Sequence, residues 1–157
     1  MKKRIFIIAI FLISIAGQAK AQDYINAVGL RGGLAQGITF KHFLSNQDAA
    51  EGILAVRWGG FYVTGLYERH MPAFDTDGLY FFYGGGAHIG FWDSANNIWF
   101  DEAGSYTVFG VDGILGLEYV FYQIPFNISL DWKPAFNLIG VTNFWGSDLA
   151  ISLRFMF

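Results

Sequence analysis

Cysteine is absent from the 157 residues, which excludes a disulfide framework, a zinc-thiolate centre and a thiol nucleophile. Proline is scarce, at 3 residues, and charged residues make up only 15%, so the chain lacks the composition of a disordered protein. Beyond the leading segment no apolar run approaches the ~20 residues that a membrane-spanning helix needs. Basic residues are also few. Lys2, Lys3, Arg4 and Lys20 all lie at the start, leaving 6 of the 10 Lys and Arg against 13 acidic residues. That excess of negative charge argues against nucleic acid as a partner.

The chain is instead rich in hydrophobic residues (54%), aromatics (19%) and glycine (20 residues), a mixture suited to strands in a chain of single-domain length. The leading segment stands apart. A cationic start at Lys2, Lys3 and Arg4 precedes an apolar stretch from Ile5 to Ile15, and Ala19, Lys20 and Ala21 supply the small-x-small pattern of a cleavage site. Residues 1–21 are therefore expected to be a signal peptide, cut before Gln22, and 22–157 a single barrel domain. The mature chain is expected to be exported through the periplasm.

After Gln22 the pattern has a period of two, punctuated by Gly, Asn, Asp and Ser. It predicts strands near Tyr24 to Gly32, Gly37 to Leu44, Glu51 to Gly59, Phe61 to His70, Leu79 to Trp92, Tyr106 to Phe121, Phe126 to Leu138 and Leu149 to Phe157. The count is about eight, an even number, and several strands approach the ~9 to 11 residues that cross a bilayer at a tilt. Connections at Ser45 to Ala50, Met71 to Gly78 and around Gln123 fall on one side. Those at Ser94 to Ser105 and Gly140 to Ser147 fall on the other and include the longest, although Gly33 to Gln36 and the Gly59-Gly60 corner on that side are short. This is the asymmetry of an outer-membrane barrel, and the expected fold class is all-β: a transmembrane antiparallel up-and-down barrel.

Alternation alone does not say which face is inside, because a soluble barrel has the same period with its oily face inward. Three features favour lipid outside. The polar parity collects Arg31, Lys41, Arg57, Lys133 and Arg154 with Glu51, Glu68, Asp112, Glu118 and Asp131, five cations and five acids that would neutralise one another in a packed interior. Glycines at 29, 84, 86, 90, 110 and 116 share that parity, where small residues relieve crowding. Aromatics on the oily parity gather toward strand ends as two girdles, with Tyr24, Tyr67, Tyr119, Phe121, Phe126 and Phe157 at one level and Trp58, Phe61, Phe109 and Phe136 at the other. Pro134, inside the seventh strand, predicts a bulge. His42 and Arg69 take the oily parity near strand ends, where a polar tip can reach headgroups.

The last strand carries Leu149, Ile151, Leu153, Phe155 and the terminal Phe157 on one parity. This resembles the C-terminal signal that barrel assembly machinery reads during biogenesis. Across almost all of the mature chain, the strand order and loop pattern resemble the small OmpA/OmpX-type barrels. The stretches from Gly37 to Phe43 and from Asp131 to Asn137 are also similar to an uncharacterised family of short outer-membrane barrels. The resemblance implies a monomeric, porin-like barrel in the outer membrane of a Gram-negative cell, with lipid and lipopolysaccharide around it, and it brings no catalytic residues.

Chemistry is sparse. His42, His70 and His88 lack a near-sequence serine for a Ser/His pair, so no catalytic residue is expected. The run from Gly84 to Gly90 is not followed by a helix that could hold a phosphate. Asp75 and Asp77, or Asp93, Asp101 and Glu102, read as solvated turn acids, and neither metal nor cofactor is expected. The candidate recognition surface is the long loop, with Trp99 and Phe100 beside Asp101 and Glu102. The expected role is structural or surface recognition. Its rivals are an enzyme on envelope lipids and a narrow ion or solute channel.

Overall fold

Strands form where apolar and polar side chains alternate, because successive residues of an extended chain point to opposite faces. The computed structural model describes residues 24–57, 59–92, 106–140 and 143–157. The expected signal peptide, Trp58, and the loop with Trp99, Phe100, Asp101 and Glu102 lie outside the described residues. The elements are β1 (Asn26–Gly33), β2 (Gln36–Phe43), β3 (Asp48–Arg57), β4 (Gly60–Pro72), β5 (Leu79–Trp92), β6 (Tyr106–Val120), β7 (Phe126–Trp132), β8 (Ala135–Ile139), β9 (Phe144–Trp145) and β10 (Leu149–Met156). Every pairing is antiparallel, β1 to β6 each pair with the next strand in sequence, and β1 closes the sheet on β10 with Leu30 opposite Leu153.

Ten segments make eight staves. Both β7 and β8 pair with β6, so they are two halves of one stave, while β9 and β10 flank them as two halves of the next. Pro134 separates the halves of the seventh stave, but the bulge expected at Pro134 is not in its own pairing with β6. Leu115 opposite Trp132 and Asp112 opposite Ala135 keep one register, and the Gly113 amide still donates to the Pro134 carbonyl at 2.8 Å. The extra residue lies on the neighbouring stave. From Trp132 opposite Leu149 to Ala135 opposite Trp145, the eighth stave advances one residue more than the seventh. Proline lacks a donor, and the partner strand bends to accommodate that loss. A further register shift lies between Phe109 and Gly110.

Two boundaries differ from the sequence pattern. β3 starts at Asp48, before the expected Glu51, because the Ser45 hydroxyl accepts the Asp48 amide at 3.0 Å and closes a tight turn. β4 runs on to Pro72, whose missing donor costs nothing at a strand end. The turn then follows at Phe74 and Asp75, both with positive φ (54° and 48°).

The faces are inverted relative to a soluble protein. Leu30, Phe40, Val63, Phe91, Leu130 and Ile151 are exposed outward, whereas the charged residues of the same strands, Arg69 of β4 excepted, are buried. A smaller apolar cluster, including Ile53, Tyr62, Leu66, Phe82 and Ile114, lines the inside of the β3 to β6 wall. Inward glycines allow the tight curvature: a Cβ on Gly29 or Gly86 would run into the neighbouring strand's carbonyl, at Leu153 or Gly65. Others make room for rings across the strand pair. Gly116 lies opposite Phe82, Gly110 opposite His88 and Gly60 opposite Trp92, and a Cβ at each would strike that ring.

Candidate functional site: a charged lumen

All ten interior charges expected from the sequence, Arg31, Lys41, Glu51, Arg57, Glu68, Asp112, Glu118, Asp131, Lys133 and Arg154, are buried inside the barrel. They form two layers. In the layer nearer the β2–β3, β4–β5 and β6–β7 turns, Lys41 and Glu51 are direct cross-strand partners, and the Lys41 ammonium lies 3.3 Å from Glu51, 2.8 Å from Glu68 and 3.2 Å from Glu118. Arg154 reaches in from β10 to Glu51 at 2.6 Å and Glu118 at 3.5 Å, and donates to the Ser129 hydroxyl at 2.7 Å. Thr39 also donates to Glu51.

The second layer sits toward the opposite end. Arg31 meets Asp131 at 2.7 Å, and Lys133 bridges Asp112 at 2.9 Å and Asp148 at 3.3 Å. His88 lies between Asp112, 2.6 Å from Nδ1, and the Asn137 side-chain oxygen, 2.9 Å from Nε2. Arg57 donates to the Ser147 hydroxyl at 3.4 Å. Charges so enclosed are tolerable only because each has a counter-charge or hydrogen-bond partner close by.

Aromatic rings gather toward both ends. At the end of the β2–β3 turn Tyr24 packs edge-on against Phe43 (5.0 Å), Phe43 tilts against His70 (5.0 Å), and His70 stacks on Phe82 (5.1 Å). The Lys41 ammonium sits 4.5 Å from the Phe82 ring centre. At the other end Trp145 stacks on His88 (6.1 Å), meets Trp92 edge-on (5.7 Å) and carries the Arg57 guanidinium at 5.5 Å.

Several expectations need correction. Tyr24 belongs to the interior, not to the lipid-side girdle: its hydroxyl donates to Glu118 at 2.5 Å and accepts from Asn127 at 3.2 Å. It precedes β1, so the strand's alternation does not govern its direction. The balance of five cations and five acids omits Asp148, a sixth buried acid recruited by the irregular stretch between β9 and β10. Asp131 and Arg154 lie on neighbouring staves but in different layers, and each pairs elsewhere. His88 and Asn137 were also missed as lumen partners; only their parity could have signalled them. The remaining placements are simple. Leu149, Ile151, Leu153 and Phe157 point outward, and Met156 is buried inside. His42 bonds to Asn26 at 2.9 Å.

Among the described residues no serine hydroxyl bonds a histidine, and no group of three or more His, Asp and Glu could hold a metal.

A closed eight-stave barrel with this inside-out polarity can be compared directly with solved structures. The N-terminal β-barrel domain of Pseudomonas aeruginosa OprF superposes with a TM-score of 0.69 at 15% identity, covering 84% of this chain and 96% of that one. The fold is that of an OmpA-like barrel. No family model matches the chain, and no curated protein does.

Proposed function

We propose that this chain is an integral outer-membrane protein with a non-enzymatic structural or surface-recognition role, exported by its leading segment and inserted by barrel assembly machinery. The observation that carries the reading is the combination of an apolar outer wall with a lumen that holds buried ion pairs and ring contacts toward both ends. An apolar wall requires lipid, because a soluble protein exposing so much contiguous apolar surface would aggregate. Side chains packed across a narrow eight-stave lumen support a role on the outer surface or in the wall over solute passage. The histidine geometry supports the absence of catalysis: both His88 nitrogens are engaged by Asp112 and Asn137, and His70 packs among rings beside Glu68.

Membrane fractionation with protease digestion of the long loop on whole cells tests the location and orientation. The protein is expected in the outer-membrane fraction, with the loop cleaved from outside. Recording in planar bilayers is expected to show no discrete conductance. Stable unitary currents would favour the channel reading instead, and altered envelope lipids in a deletion strain would favour the enzyme.

A further inference from the structure

Five of the six described Lys and Arg residues turn into the lumen; the sixth, Arg69, does not. Its side chain is 49% exposed on the outer wall, held at 3.4 Å from Asp48 and 2.9 Å from the Gln47 side-chain oxygen. The Asp48 carboxylate is also bonded by the Ser45 hydroxyl, at 2.9 Å. Gln47 and Asp48 form the β2–β3 turn and the start of β3, so the guanidinium marks the edge of the apolar wall. Two exposed tyrosines flank it: Tyr67, two residues along β4, and Tyr83, its register partner on β5.

Up the wall from Arg69, along β3 and β4, Gly52 faces Gly65 across the strand pair. A Cβ at either would meet nothing within 4 Å, in contrast to the inward glycines, so barrel packing does not require them. At Gly52 the wall forms a groove of about 180 Å³, sided by Val28, Ile38, Phe40, Leu54 and Val63. A second outward groove of about 200 Å³, at Leu117, Tyr119, Ile128 and Leu130, has no described Lys or Arg on its wall.

We infer that the Arg69 patch and the Gly52 groove together seat one glycerophospholipid of the periplasmic leaflet, with its phosphate on Arg69 and an acyl chain along the groove. This rests on the membrane reading above and adds to it a specific lipid. The separation fits: Gly65, opposite the groove residue Gly52, is four residue steps along β4 from Arg69, about 13 Å at ~3.3 Å each, comparable to the distance from headgroup to mid-chain. Charge complementarity selects the ligand, since a guanidinium binds phosphate oxygens and the two tyrosines offer hydroxyl donors beside it.

The test uses native mass spectrometry of the full barrel released from bicelles containing phosphatidylglycerol or, separately, uncharged diacylglycerol. Wild type is expected to retain one phosphatidylglycerol. Gly52→Leu fills the groove and is expected to lower occupancy about tenfold, with Gly52→Val as a second groove variant. Arg69→Gln is expected to lower phosphatidylglycerol about tenfold, the loss of one charge-assisted contact, and leave diacylglycerol unchanged. Ile128→Phe, in the second groove, is expected to change neither. Equal retention by wild type, Gly52→Leu and Arg69→Gln, or equal loss in Ile128→Phe, overturns the site. Insertion of each variant into vesicles is followed in parallel. Failure of the wild type to insert overturns the membrane reading itself, whereas insertion without selective retention overturns only the lipid site.

Discussion

Arg31 on β1 and Asp131 on β7 meet at 2.7 Å across a full intervening stave, β10. Their contact skips one stave rather than running along a strand pair, and it belongs to a set of buried pairs, Lys41 with Glu118 among them, that tie non-adjacent staves together. Losing one member leaves its partner charged and enclosed.

Replacement of Asp131 or Arg154 by leucine is therefore expected to destabilise the barrel although each change adds hydrophobic surface. The cost is on the order of 3 to 5 kcal/mol if the vacated site stays dry, and less if water enters. Arg154 is expected to cost more than Asp131, since it serves Glu51, Glu118 and Ser129 together. Urea unfolding in lipid vesicles, followed by tryptophan fluorescence, measures both. A shift within about 0.5 kcal/mol for both variants would contradict a packed ionic lumen.

Because Arg31 and Asp131 are paired with each other, a double-mutant cycle should separate them from Arg154. Arg31→Leu combined with Asp131→Leu is expected to cost clearly less than the sum of the two single changes, by about 1 to 3 kcal/mol. Asp131→Leu combined with Arg154→Leu should be closer to additive. The opposite ranking would show that the two layers are not distinct in membranes.

The two classes of glycine make a sharper contrast. Gly86→Ala drives a Cβ into the Gly65 carbonyl and is expected to cost about 2 kcal/mol or more, or to block assembly. Gly65→Ala points into open space and is expected to stay within about 0.5 kcal/mol of the parent. Heat-modifiability on gels and vesicle unfolding provide the comparison, and equal tolerance would mean that strand curvature does not depend on the inward glycines.

At the terminus, Phe157 faces outward and Met156 inward. Phe157→Ser is expected to reduce delivery to the outer membrane, whereas Met156→Ser should insert and show only lowered stability. Membrane yield set against unfolding midpoint distinguishes the two. Equal yields for the two variants would sink the assembly-signal reading of Phe157.

Edman sequencing of the membrane-extracted protein should begin at Gln22, after Ala19, Lys20 and Ala21. A soluble periplasmic product would contradict the location as well.

Strand number, strand parity and the inside-out placement of charge follow from local facts. A period of two sends residues such as Lys41 and Phe40 to opposite faces whatever the neighbours are, and ten charges confined to one parity can sit together only in an interior where they compensate. The pairing of those charges was not legible, because it depends on how far each strand is staggered against the next around the closed wall. Arg31 selects Asp131, and Arg154 selects Glu51, across strands that are not sequence neighbours. Where strand geometry lapses, parity loses its meaning. Tyr24, ahead of β1, turns inward to Glu118, and the residue added opposite Pro134 brings Asp148 to Lys133. Alternation along the chain thus determined the wall of this protein, while barrel closure and stagger decided which interior groups touch, since only tertiary structure relates the heights of strands that never pair.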